Sequence, residues 1–164
     1  MTIYLSKSSV FVKIATISTL IILILVALTL MTTANNYGVI GGTVLSILII
    51  GTVIYFYSNS LDKIILSKDA LILKKNFGQI IVIPRNDIID IQKLEFSNLP
   101  MTYGSQGIFG FLGNTMDDSV SLVKDRRNMI RITTKNNKYI VSAEESDKLV
   151  SEIKTLYNII SDKI

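Results

Sequence analysis

Four glycines stand at every third position in Tyr103-Gly104-Ser105-Gln106-Gly107-Ile108-Phe109-Gly110-Phe111-Leu112-Gly113. A glycine run can cradle phosphate, but this one lacks the Lys-Ser/Thr ending and does not join a strand to a helix of a βαβ unit. Collagen needs the glycine period sustained, and here it stops after four. Asp117-Asp118 is the nearest approach to a paired carboxylate site. Adjacent carboxylates in a loop more often mark a turn or a wet surface than a cation site, and no third ligand stands beside them. Arg126-Arg127 is the sharpest concentration of positive charge, at a hairpin tip. The chain has neither His nor Cys. That removes the commonest general base, the commonest metal ligands, thiolate nucleophiles and disulfides. No enzyme activity, metal or cofactor is expected from such an inventory. Nucleic-acid binding would need a concentrated basic face with aromatic platforms, which the sequence lacks.

The elements that position these residues follow from charge. The chain has 164 residues, 17 Lys+Arg, 13 Asp+Glu and 49% hydrophobic residues. No charge occurs between Lys13 and Asp62, and all 13 acidic residues lie from Asp62 onward. Ile14–Met31 and Gly38–Tyr57 are long apolar runs, each spanning roughly 27–30 Å as a helix, about the thickness of a bilayer core. A signal peptide has a shorter apolar stretch. The reading is two transmembrane helices, at about 12–32 and 38–58, within residues 1–60. The uncharged link Thr32–Tyr37 joins them.

Lys7 and Lys13 precede the first span, and Lys63, Lys68, Lys74 and Lys75 follow the second. That bias places both ends on the cytoplasmic side of a cell membrane. Tyr37 and Tyr55-Phe56-Tyr57 occupy belt positions. Gly38, Gly42 and Ser46 recur on one face of the second span, where small residues permit close helix approach. The contact is either with the first span or with another chain.

Residues 61–164 change to period-2 patterning with closely spaced turns. Seven strands are expected: 62–66, 70–75, 79–83, 88–96, 119–124, 129–134 and 138–141. Ser142-Ala143-Glu144-Glu145 reads as a capping box opening a helix from Ala143 to about Ser161. Its apolar stripe is Leu149, Val150, Ile153, Leu156, Tyr157 and Ile160. Seven antiparallel strands and a terminal helix suggest a small curled barrel or sandwich, plugged by the helix. Ser97–Asp118 is long for a connection. Ile108, Phe109, Phe111 and Leu112 either tuck into that barrel or meet the membrane or a partner.

Three signatures carry a resemblance: Ile83-Pro84-Arg85-Asn86-Asp87-Ile88, the glycine run Tyr103–Gly113, and Lys138-Tyr139-Ile140-Val141-Ser142 leading into the helix. With them, Leu61–Ile160 resembles the bacterial pleckstrin-homology-like domains of small membrane proteins, in which two leading spans are familiar. The resemblance implies a mainly-β barrel of about seven antiparallel strands capped by a C-terminal helix. It hands over no catalytic residue, and the family's members look non-enzymatic. Eukaryotic relatives bind phosphoinositides through basic residues in a loop that corresponds here to Ser67-Lys68-Asp69, a poor phosphate cage.

Three functions follow as expectations. The first is a membrane-anchored protein-interaction module at the inner face of a bacterial membrane, using Tyr103, Gly104, Gly107, Ile108, Phe109, Gly110, Phe111, Leu112 and Gly113. The second is a sensor of anionic membrane lipid contacted by Lys63, Lys68, Arg126 and Arg127. The third is an accessory subunit stabilising a larger membrane complex through Gly38, Gly42 and Ser46. Membrane lipid and another protein are the expected partners.

Overall fold

The computed structural model describes residues 1–32, 36–95 and 99–159. Most of the expected span link (Thr33–Asn35), the end of the expected fourth strand (Phe96), the start of the long connection (Ser97 and Asn98) and the expected helix end from Ile160 lie outside the described residues.

The chain opens with an unanticipated strand, β1 (Thr2–Leu5), before the two long helices α1 (Val10–Thr32) and α2 (Asn36–Asn59). There follow β2 (Leu61–Leu66), β3 (Ala70–Lys75), β4 (Ile81–Pro84), a 3-10 turn (Arg85–Asp87) and β5 (Ile88–Leu94). The glycine-rich segment contributes β6 (Met101–Gln106) and β7 (Phe111–Thr115). Then come β8 (Ser119–Val123), β9 (Met129–Thr134), β10 (Lys138–Ser142) and α3 (Ser146–Tyr157). Both long helices are apolar and long enough to cross a membrane, and only 11% of each hydrophobic window is buried by the rest of the chain. A core helix of a soluble fold would hide most of its apolar surface; these do not.

The strands form two open sheets. One has four strands in the order β1-β2-β3-β4; the other has six, in the order β5-β9-β10-β8-β7-β6. The expected closed, curled barrel is therefore not formed. Among the described residues no strand carries the hydrogen-bond ladder from one sheet to the other, so each sheet keeps two edges. The expected count of seven is also short, because a four-residue strand before the spans and two glycine-bearing strands join the sheets. Nor are all pairs antiparallel: β10 runs parallel to β8, with Tyr139 opposite Val120 and Val141 opposite Leu122. The outline that survives is a β-rich domain with two N-terminal apolar helices and a C-terminal helix. It agrees with the pleckstrin-homology-like expectation only at that level.

The main core lies between the sheets. Ile64, Leu71, Leu73 and Ile83 from the first meet Ile91, Ile130, Ile132 and Val141 from the second, while Leu149, Ile153 and Tyr157 of α3 close one side. The helical stripe was thus read correctly in its buried positions. Its start was not. Glu145 is the N-cap, with no side-chain cap bond, and the helix ends at Asn158 in the left-handed conformation. Ser142 still belongs to β10. Its Oγ accepts hydrogen bonds from the backbone N–H of Lys124 (2.8 Å) and Asp125 (3.2 Å), and lies 3.3 Å from Ser6 Oγ. A hydroxyl engaged in clamping the turn after β8 is not available to cap a helix.

A second, smaller core lies on the other face of the six-stranded sheet. Leu99, Met101, Phe111, Val123, Met129 and Ile140 gather there around Val12, from the first turn of α1. The base of the helical hairpin is thereby built into the β domain. β1 and β2 pair antiparallel, Ile3 opposite Ile65 and Leu5 opposite Lys63. The two long helices are therefore an insertion between neighbouring strands, and both their ends are held at one sheet edge.

Candidate functional site

The glycine run becomes a hairpin whose tip reaches the helices. Gly104 and Gly113 face each other across β6 and β7. All four glycines of the run have positive φ, between 117° and 140°. The Gly107 N–H donates to Gly110 O at 2.8 Å and the Ser105 hydroxyl to Ile108 O at 2.6 Å, which closes the tip. The Phe109 N–H then donates to Thr16 Oγ1 at 2.8 Å, and that hydroxyl donates to Val12 O at 2.7 Å. Phe109 packs on the main core and meets the Tyr57 ring edge-on at 6.5 Å. Phe111 and Leu112 are buried on opposite faces of the sheet, and of the segment's large apolar side chains only Tyr103 is strongly exposed. Most of the apolar side chains of this segment are thus spent inside the molecule, against α1, α2 and both cores.

The small residues of α2 divide similarly. Gly42 is buried where a Cβ would meet Met31 Cγ at 2.5 Å and Ala27 O at 2.8 Å. Ser46 donates to Gly42 O at 2.8 Å, one turn on, and Gly38 lies one turn before. Of the two contacts expected here, Gly42 makes the one with the first span.

The exposed apolar surface lies elsewhere. On the outer face of the four-stranded sheet, Ile3 stands opposite Ile65, Ile65 opposite Ile72, and Ile72 opposite Val82. These four β-branched residues form one row across all four strands. Ile3 and Val82 at its ends are 53% and 57% exposed. One step nearer the two long apolar helices a second row runs Leu5, Lys63, Lys74. Among the described residues the one ion pair of Lys63 is a 4.0 Å contact with Asp62. Like charges directly opposite one another destabilise a sheet. Sequence reasoning marked Lys63, Ile65, Ile72, Lys74 and Val82 as strand, assigned Ile3 and Leu5 to none, and missed the row, because cross-strand register is not written in any one strand.

The four basic residues expected to contact lipid are not brought together. Lys68 sits in the turn after Leu66, at the end of β2 away from the helices, among Met1, Thr2 and Leu156. Arg126 and Arg127 lie instead at the helix base, with Lys7 and Lys13. Sequence reasoning also missed Phe77, which is 79% exposed beside Tyr57, their ring centroids 5.9 Å apart. Its loop is tied to the end of α2 by the N–H groups of Phe77 and Gly78, both donating to Ser58 O. That places a phenyl ring where α2 ends, as an interfacial aromatic would stand. Lys124 is partly buried at the same junction and donates to Leu61 O at 2.7 Å; burial lowers its pKa, partly opposed by Asp62.

The carboxylate pair is divided. The Thr115 hydroxyl, 2.6 Å away, holds the Asp117 carboxyl below its usual range, against burial, with help from Ser119 and from Arg131 at 3.1 Å. Asp118 is a left-handed turn residue with φ 59°. Among the described residues no group of three or more acidic side chains is placed to hold a metal ion. Because folding lowers the Asp117 pKa, its stabilisation is complete above the ordinary value of 3.8 and fades as pH falls through the folded value. Asp117→Asn should therefore lower the melting temperature by roughly 3 °C at neutral pH, taking about 1 kcal/mol for a partly exposed pair. The difference from the parent should shrink below about pH 4, where the ordinary carboxyl protonates. Thermal melts across pH check this; a difference independent of pH would refute it.

Comparison with family models, curated proteins and solved structures finds no match to this chain.

Proposed function

We propose that this protein is a membrane-anchored, non-enzymatic interaction module at the inner face of a cell membrane. Its docking surface in this reading is the outer face of the four-stranded sheet. The row Ile3–Ile65–Ile72–Val82 carries the proposal. Apolar residues in register across an open sheet face are costly to leave wet and suit a partner's apolar strip. The absence of His and Cys and the engagement of Asp117 by Thr115 and Arg131 support a role without catalysis. Lys7, Lys13 and Lys63 near the helix base support the cytoplasmic orientation.

The partner's chemistry follows from the second row. Two copies anchored in one bilayer in the same orientation pair about an axis along the membrane normal. Equal heights then meet, and Lys63 and Lys74 would confront their own copies. A different protein, with an apolar strip and carboxylates on its membrane-proximal side, fits both rows and relieves the Lys63–Lys74 repulsion.

A photocrosslinking residue at Val82, in the full chain in native membranes, should give one discrete heteromeric adduct. The same residue at exposed Met116 should not. Ile72→Gln should reduce the Val82 adduct at least tenfold while moving the melting temperature by no more than a few degrees, and high salt should weaken it. An adduct of twice the chain mass would replace the partner by a second copy. Equal labelling from Val82 and Met116 would remove the docking surface.

A further inference from the structure

A groove of about 560 Å³ opens where α1 leaves the β domain. Four cationic side chains, Lys7, Lys13, Arg126 and Arg127, line it, against the carboxylates of Asp125 and Glu144. Glu144 is paired with Lys7 at 2.8 Å. Asp125 is engaged by its own turn, accepting from the Arg127 N–H at 3.0 Å and from Asn128 Nδ2 at 2.8 Å. Among the described residues neither Lys13 nor the Arg127 guanidinium has a carboxylate within ion-pair distance. The Arg126 guanidinium lies 4.7 Å from the centroid of Phe111 and 5.8 Å from that of Phe11, so two rings fix its place on the wall.

The groove changes character along its length. Ser8 and Lys13 also line an adjoining cavity of about 220 Å³, whose walls include Val12, Ile17 and Phe109. A cationic groove thus shares Ser8 and Lys13 with a mainly apolar cavity alongside α1, which Lys124 also lines. A free anion would use only the first; an amphiphile with a phosphate head and hydrocarbon tail fits both.

We infer that this groove is a binding site for an anionic phospholipid. Its phosphate meets Lys13, Arg126 and Arg127, and an acyl chain lies toward Ile17 and Phe109. The inference rests on the reading of α1 and α2 as spans. It concerns a different surface from the docking face. A cation near a leaflet gains from anionic lipid without any built site; the aromatic-held arginine and the adjoining, mainly apolar cavity set this groove apart from that diffuse attraction.

The full chain is reconstituted in nanodiscs of phosphatidylcholine, with or without phosphatidylglycerol. Retained lipid is counted by native mass spectrometry and stability by thermal melting. One phosphatidylglycerol should be retained per chain and should raise the melting temperature. Lys13→Gln with Arg127→Gln should weaken that retention roughly thirtyfold, the effect of two interfacial cations. This pair is chosen over Arg126 because Arg126 packs on Phe111, and a melt unchanged in phosphatidylcholine alone shows the variant folded. Lys68→Gln, at the far end of β2, should leave retention as it was.

Equal losses from Lys68→Gln, or none from the double variant, would overturn the site. Displacement of the lipid by millimolar glycerol phosphate would make it a soluble-anion site instead. Release of the parent chain from native membranes by alkaline carbonate would overturn the anchoring itself, a failure distinct from loss of lipid selectivity in a chain that stays inserted.

Discussion

Gly113→Ala is expected to cost roughly 3–5 kcal/mol and to leave little folded protein. Gly113 has φ +140° and lies opposite Gly104, itself at +126°. A Cβ on Gly113 would overlap the carbonyl oxygen of Tyr103, with the Gly104 Cα 2.8 Å away. A Cβ on Gly104 would overlap Leu112 O in the same way. Both obstacles are backbone, so no side-chain rotation relieves them. The left-handed conformation contributes about 1–3 kcal/mol and overpacking a similar amount. A domain stable by about 5–15 kcal/mol loses much of its margin.

The consequence is not local. β7 lies between β6 and β8 and sends Phe111 into one core and Leu112 into the other. Parting β6 from β7 also withdraws Phe109 from Thr16 and unseats the helix base. At Gly110 a Cβ would meet Val123 O at 2.5 Å, whereas at Gly107 the nearest atom is Phe11 Cε1 at 3.5 Å. The expected order of damage is therefore Gly113 and Gly104, then Gly110, then Gly107. Gly51→Ala on α2, with nothing within 4 Å, should be harmless. Melts of the reconstituted variants test this. A Gly113→Ala melt within a degree or two of the parent would show that the strands do not approach as closely as described.

These glycines show where sequence reasoning succeeds and where it stops. Their three-residue spacing was visible and marked the segment as special. Reading it as an irregular connection followed from glycine's poor fit to strands, which assumes a side chain is wanted there. Here the strand pair needs its absence. The long helices were legible because the charge gap from Lys13 to Asp62 is a one-dimensional signal. So were β2, β3, β9 and α3, whose periods are local. β1 was not: its four residues carry little pattern, and its partner Leu61–Leu66 lies beyond both long helices. The parallel pairing of β10 with β8 escaped for the same reason, since the chain between them forms β9 and suggests successive hairpins. The open sheets rather than a barrel, the outer apolar row and the cationic groove all depend on register or on residues more than a hundred positions apart. No window along the chain contains them.

Gly42→Leu is the second large effect, and it separates two roles for the small residues of α2. A Cβ on Gly42 would meet Met31 Cγ at 2.5 Å, Ala27 O at 2.8 Å and Met31 N at 3.0 Å. The methionine side chain is flexible and can move, but the carbonyl and the amide nitrogen cannot. The helices must separate, from a glycine-mediated approach toward the 8–10 Å usual for larger side chains, at a cost of roughly 2–4 kcal/mol. The base is pinned by Val12 in the second core and by Thr16 against Phe109, and the short link after Thr32 joins the other ends, so the separation should be centred on Gly42. Gly41→Leu, with nothing within 4 Å of its Cβ position, is the matched control. Because the chain has no native cysteine, spin labels on introduced cysteines at Thr29 and Val39 report that separation cleanly. An increase of about 2–3 Å in Gly42→Leu but not in Gly41→Leu is expected. If Gly42 instead served a second protein, Gly42→Leu would leave the distance unchanged and abolish co-purification of that protein. That outcome would move the working surface from the sheet face into the membrane.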